Sequence, residues 1–195
     1  IRPEKVKTAE AGYRATIGSR VFVDANYYYS LYDDFIGYII GAEIEEGTTA
    51  IDRLKSLQVY RVAANANEQV TTQGFSIGMN TFLGNYQTLT GNCSWNKLTS
   101  AVSDPIVPAF NTPEHKFNLG WNIRNYPWNQ DDSKLIGAGV NYKWVQGFVF
   151  EGSPQFTGSI PSYGLCDAQV SLTRIKDNSN KKRTITYKIG ASNVL

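Results

Sequence analysis

Apolar side chains recur at every second position along this chain, the period of a pleated strand and not the 3.6 of a helix. In Phe117-Asn118-Leu119-Gly120-Trp121-Asn122-Ile123-Arg124, one side is Phe, Leu, Trp and Ile, and the other is Asn, Gly, Asn and Arg. Ile136, Ala138, Val140, Tyr142 and Trp144 repeat the pattern against Gly137, Gly139, Asn141 and Lys143. Near the start, Val21, Val23, Ala25, Tyr27, Tyr29 and Leu31 alternate with Asp24, Asn26 and Ser30; near the end, Ile185, Tyr187, Ile189 and Ala191 alternate with polar residues and Gly190. The pattern predicts eight strands, at 5–17, 20–32, 57–82, 86–98, 113–126, 134–147, 163–176 and 182–193. Within 57–82, a split into two strands near Asn65 to Asn67 is the alternative, and it would disturb the alternation of connections.

Several of these spans are about ten to fourteen residues long, where strands of globular proteins centre near five or six. A strand tilted by about 45° crosses a bilayer in about nine to eleven residues. The connections alternate as well. Gly18-Ser19, Gly84-Asn85 and the stretch from Asp177 to Lys181 are tight, and Pro127 to Ser133 is modest. Between them lie long segments at 33–56, 99–112 and 146–162. Short turns on one side and long loops on the other characterise outer-membrane barrels, whose short turns are periplasmic.

The two faces differ in charge. One carries Glu10, Arg14, Asp24, Lys116, Arg124, Lys143, Asp167 and Lys188, along with the polar Asn26, Asn118, Asn122, Asn141 and Gln169. All thirteen are expected to face a lumen. The other face is uncharged over its central span, with Lys97 and Arg174 at its margins, and it carries Tyr13, Tyr27, Tyr29, Trp95, Trp121, Tyr142, Trp144 and Tyr187. A soluble sandwich also hides an uncharged face. The Gly, Asn, Ser and Thr of the polar side suit a water-filled or plugged lumen better than a soluble sheet's skin, and aromatic rings near strand ends suit the headgroup level. The fold class expected is therefore an all-β antiparallel transmembrane β-barrel.

Composition adds little against this reading. Aromatic residues make up 13% and charged residues 18% of the 195 residues, and the net charge of +2 gives no case for a nucleic-acid partner. The trio Lys181-Lys182-Arg183 reads as a solvated turn tip. No run approaches the ~18 apolar residues of a membrane helix. Cys93 and Cys166 fall on strands three places apart, about 14 Å at ~4.8 Å per strand, beyond the ~7 Å reach of a disulfide. The single histidine, His115, cannot build a His-based metal cluster or a Ser-His-Asp triad. Asp33-Asp34 and Glu45-Glu46 read as solvated loop acids, and Gly152-Ser153 is followed by Pro154, which excludes a nucleophile elbow. No enzyme activity, metal or cofactor is expected.

Four stretches resemble TonB-dependent receptors, particularly those of Bacteroidota-like bacteria. Arg2-Pro3-Glu4 leading to Glu10-Ala11-Gly12-Tyr13 is similar to that family's entry into a late barrel strand. Val23-Asp24-Ala25-Asn26-Tyr27-Tyr28, followed by Tyr32-Asp33-Asp34-Phe35-Ile36, resembles its next strand and loop. Pro113-Glu114-His115-Lys116-Phe117-Asn118-Leu119 resembles a strand opening, and Lys188-Ile189-Gly190-Ala191-Ser192-Asn193-Val194-Leu195 the penultimate strand.

The resemblance implies a barrel of 22 strands around an N-terminal plug. This chain, residues 1–195, would be the C-terminal portion, supplying the fourteenth to twenty-first strands without the plug or the last strand. It implies uptake of a scarce solute (siderophore, cobalamin, oligosaccharide or peptide) driven by TonB acting through the plug region, in the outer membrane of a Gram-negative bacterium. Outer-membrane lipid is an expected partner, and a surface lipoprotein is a further one. Loop residues Tyr38, Glu43, Glu45, Arg53, Phe148, Phe150, Gln155 and Phe156 are the expected ligand contacts. The competing expectations are a complete eight-stranded small barrel and a soluble β-sandwich that binds carbohydrate.

Overall fold

The structure, a computed structural model, describes residues 1–44, 54–99, 106, 111–151, 157–178 and 181–194. Eight long strands form one antiparallel sheet: β1 (Lys5–Ile17), β2 (Val21–Asp33), β5 (Val70–Leu83), β6 (Gln87–Thr99), β7 (His115–Trp128), β8 (Asp131–Val145), β11 (Tyr163–Asn178) and β12 (Lys181–Ala191). They pair in the order β1-β2-β5-β6-β7-β8-β11-β12, so sequence neighbours in the sheet are also spatial neighbours. Two hairpins complete the fold: β3 (Ile36–Ile44) with β4 (Leu54–Asn65), and β9 (Phe148–Glu151) with β10 (Thr157–Ile160).

The expected single strand over 57–82 is corrected here. The chain breaks between Asn65 and Val70, and residues 54–65 leave the main sheet to pair with β3. The alternation of connections survives the split because the extra strand is matched by a second unforeseen one, β3, within the segment read as a loop. The polypeptide leaves the sheet after Asp33 and re-enters at Val70, which lies directly opposite Tyr32.

The modest connection expected at 127–133 and the tight one expected at 177–181 are both shorter, because the flanking strands run further. β7 runs to Trp128 and β8 starts at Asp131, leaving Asn129 and Gln130 at φ values of 51° and 61°. Paired positive φ values are what a two-residue hairpin needs to match the right-handed twist of its strands. Lys181-Lys182-Arg183 likewise opens β12 instead of capping a turn. At the start of β8, the Ser133 hydroxyl and its backbone N–H both donate to the Asp131 carboxylate, at 2.6 and 2.9 Å.

The sheet is a single layer. β1 and β12 are its two edges and do not pair with one another, as closure of an eight-stranded barrel would require. No second sheet packs on the apolar face among the described residues: Tyr13 is 66% exposed and Ile189 72%. The Tyr, Trp and Ile side chains of that face meet no protein interior, which removes the sandwich expectation. Among the described residues no helix is long and apolar enough to cross a membrane. Cys93 and Cys166 stand on β6 and β11 with no disulfide between them.

The small buried cluster lies at the long-loop end. Ala66, Val70 and Ile106 are buried and pack with Tyr32, Phe35, Ala64 and Leu98. The buried hydroxyl residues Ser30 and Thr72 lie opposite one another just inside it, with Ser30 bonded to Thr8 at 2.9 Å. Phe35 and Ala66 from one long connection and Ile106 from another thus pack at the end of the polar face.

Candidate functional site

Cross-strand registry fixes which side chains share the polar face. Glu10 opposes Tyr28; Arg14 opposes Asp24; Asn26 opposes Ser76, which opposes Ser94 and then Lys116. One row runs Asn92, Asn118 and Lys143, and the next runs Thr90, Gly120, Asn141 and Asp167. Below them, Asn122, Gly139, Gln169 and Gly190 are aligned, and Lys188 opposes Ser171. Arg124 shares the strand phase of Asn122. All thirteen polar positions singled out in the sequence therefore stand on one side of one sheet.

Hydrogen bonding on this face is sparse. The Arg14 Nε donates to Asp24 at 2.6 Å, and the Asp167 carboxylate accepts from the Asn193 backbone N–H at 3.0 Å. Tyr28 reaches across Gly74 to donate its hydroxyl to Asn96 at 3.0 Å. The Asn118 side-chain carbonyl is buried without a donor, an acceptor still open on this face. Two adjoining concavities sit toward the β12 side. One, of about 270 Å³, is walled by Asn122, Asn141, Asp167 and Gln169. The other, of about 280 Å³, is walled by Arg124, Asn125, Ser171, Thr186 and Lys188.

The second concavity comes from a β-bulge. Between Ile123 and Tyr126 the register of β7 slips by one residue against β8, with Asn125 at a φ of 54°. An extra residue bends its strand and re-aims neighbouring side chains. The signal is present in the sequence: after Phe117, Leu119, Trp121 and Ile123, the next aromatic comes three residues on, at Tyr126.

At the long-loop end, the expected ligand contacts fall in separate places. Tyr38 lies on β3 beneath Arg61 of β4, whose guanidinium carbon is 3.5 Å from the ring centroid, a cation–π contact. Glu43 belongs to β3 too. Phe148 and Phe150 belong to β9, opposite Ile160 and Gly158. Asn111 clasps the end of β9, donating its Nδ2 to the Glu151 carbonyl at 3.1 Å and accepting from the Glu151 N–H at 2.7 Å. Glu45, Arg53, Gln155 and Phe156 lie outside the described residues.

The base of the β3–β4 hairpin is held by a hub that sequence reasoning missed. Asn65 Nδ2 donates to the carbonyls of Asp34 at 2.6 Å and Arg2 at 2.8 Å, and its Oδ1 accepts from the Arg2 N–H at 2.6 Å. Arg2 also pairs with Asp34 at 2.7 Å, and Glu4 accepts from the Ile36 N–H at 3.2 Å. Asp33 and Asp34, read as solvated acids, are instead structural: Asp34 is 19% exposed, and Asp33 accepts from Gln69 at 2.7 Å. The partners are tens of residues distant, so no local pattern announces them. Asn65→Ala leaves several polar groups without their bonds, at about 1–3 kcal/mol of local stability. The expected result is faster limited proteolysis within residues 34–69 while the main sheet stays intact; an unchanged cleavage rate would rule the hub out as the hairpin's anchor.

Comparison with known proteins follows the same lines. The model of the family described as "TonB dependent receptor-like, beta-barrel" matches residues 1–194. Among solved structures, the chain is similar to "Copper transporter OprC", with a TM-score of 0.65 at 15% identity, covering 100% of this chain and 26% of that one. It is similar to the FrpB iron transporter from Neisseria meningitidis (F3-3 variant), with a TM-score of 0.55 at 12% identity, covering 95% of this chain and 31% of that one. The apoprotein form of the F5-1 variant gives a TM-score of 0.54 at 12% identity. This chain thus spans about a quarter to a third of the length of the structures it matches. Identities this low carry the fold alone. A search of curated sequences finds no match.

Proposed function

The chain belongs to the TonB-dependent receptor-like β-barrel family, and from that premise we propose that it forms part of the wall of an outer-membrane importer energised by TonB. The observation that carries this is the two-sidedness of the single sheet. One face of strands 11–16 residues long is uncharged over its centre and, among the described residues, bare of protein cover, while the other aligns Asn, Gly, Ser, Thr and the registered charges. A lipid-exposed wall must satisfy every backbone group within the sheet and keep charge off its outer face. The six inner strands are paired on both sides, and all eight keep charge off the centre of that face; β1 and β12 are each paired on one side within this segment.

In this reading the polar face lines the lumen, and Asn118, Asn141, Asp167 and Gln169 front the plug or the passing solute. The long-loop end is extracellular, where Tyr38, Phe148 and Phe150 contact the solute. TonB acts through a plug outside this segment, and the segment lies in the C-terminal part of the barrel. The solute belongs to the scarce, bulky classes (siderophore, cobalamin, oligosaccharide or peptide), and a surface lipoprotein is a further candidate partner.

The test is accumulation of a panel of such solutes in cells that carry the intact protein. One solute is expected to accumulate only when the protein is present, and a protonophore should abolish that accumulation. Uptake that persists without the proton gradient would overturn TonB-driven import. Recovery of the intact protein from aqueous extracts without detergent would overturn the membrane wall itself.

A further inference from the structure

Arg174 marks the short-turn margin of the apolar face, and register assembles a patch around it. Lys134 of β8 is its direct cross-strand partner. Lys176, two residues further along β11, shares its face and directly opposes Arg183 of β12. Four cations therefore occupy two adjacent rows across three strands, and all four are exposed. Like charges placed directly opposite one another destabilise a sheet.

Internal neutralisation is incomplete. Lys134 meets Asp131 at 3.3 Å. Among the described residues, Arg174, Lys176 and Arg183 make no ion pair, and neither does the neighbouring Asp132. The opposite margin differs in that its cations do not oppose one another: Lys7 is matched by Asp33 at 4.0 Å, Lys5 faces the same Asp33, and Lys97 stands opposite Gln73. Immediately inward of the cations the surface turns apolar. Ile185, which opposes Arg174, is 49% exposed, and Val170, Tyr187 and Ile189 continue the exposed strip toward the middle of the sheet.

A free anion would use the cations and leave that strip idle. A molecule with a phosphate at one end and hydrocarbon at the other uses both, because guanidinium forks match phosphate oxygens and the strip matches acyl chains. We infer that Lys134, Arg174, Lys176 and Arg183 hold the phosphate of an anionic phospholipid from the leaflet on the short-turn side, with its chains lying along Ile185, Val170 and Ile189. This rests on the reading that the apolar face meets lipid.

The test refolds the intact protein into vesicles of phosphatidylcholine mixed with phosphatidylglycerol, extracts it gently, and counts retained lipids by native mass spectrometry. Phosphatidylglycerol is expected to be enriched over its share of the bilayer. The R174Q/K176Q/R183Q variant is expected to lose that enrichment by about tenfold or more, given what each cation contributes at an anionic surface. The charge-preserving R174K/R183K variant keeps much of it, and K5Q/K7Q at the opposite margin leaves it unchanged. Heat-modifiable gel migration confirms that each variant is folded. Enrichment that is absent, equal in the triple variant, or fully displaced by inorganic phosphate overturns the lipid site while leaving the importer reading intact. Failure to insert into any vesicle overturns both.

Discussion

Ile77→Arg is expected to lower the stability of the folded barrel by about 2–4 kcal/mol, the cost of an arginine at the bilayer midplane on a lipid-facing strand. Ile77 sits midway along β5 on the apolar face, between Ala25 and Cys93 in register. The size of the effect comes from hydrocarbon, which offers the guanidinium no water, and that makes it depth-dependent. Gln73→Arg, four residues nearer the long-loop margin on the same face, is expected to cost at most about 1 kcal/mol. Ser76→Arg, adjacent in sequence but on the polar face, is expected to change stability little, since a solvated charge there keeps its water. The measurement is the folded fraction across a urea series in lipid vesicles, read by heat-modifiable migration. Equal midpoints for Ile77→Arg and Ser76→Arg would show that the two faces meet the same medium.

Gly74→Ala is the second large effect, and it tests packing where the first tests solvent. A Cβ on Gly74 would lie 2.5 Å from the Trp95 carbonyl oxygen, 2.7 Å from Tyr28 Cε1 and 2.8 Å from Asn96 Oδ1. The carbonyl belongs to the adjacent strand and cannot move aside without opening the ladder. The ring of Tyr28 crosses this position to reach Asn96, so the added methyl also displaces that hydrogen bond. Overpacking of this kind costs about 1–3 kcal/mol. Gly78→Ala on the same strand and face is the control: its nearest neighbour would be 3.9 Å away, and the loss of chain entropy in the unfolded state makes the change neutral to mildly stabilising. The same urea series reads both. A Gly74→Ala midpoint no lower than that of Gly78→Ala would mean that Tyr28 does not lie over Gly74.

The main sheet was legible because a period-two pattern cannot be sustained by any other backbone over a dozen residues. Runs such as Tyr27, Ala25 and Val23 against Asn26 and Asp24 fix both the strand and its faces. The polar face followed from the same periodicity, since each charged position keeps its phase from strand to strand. Legibility failed where a strand pairs out of the main sheet. Tyr38, Ile40, Val59 and Arg61 alternate no less well than wall residues do, and nothing local says that β3 pairs with β4 and not with the wall. The hub at Asn65 was illegible for a related reason, because its partners Arg2 and Asp34 are brought to it by the fold. The basic patch was half visible: Arg174 stood out as a charge on the wrong face, but its companions Lys134, Lys176 and Arg183 depend on exact register across two hairpins.

The β3–β4 hairpin leaves the wall after Asp33 and returns at Val70, and Tyr32 and Val70 are already ladder partners. Exit and entry are therefore one rung apart, and the wall's own hydrogen bonds do not depend on what lies between. The clamp of Arg2, Glu4, Asp34 and Asn65 closes that rung from outside the sheet. The hairpin is therefore mechanically separate from the wall: a change of length or sequence between Ile36 and Asn65 leaves the rungs on either side in place.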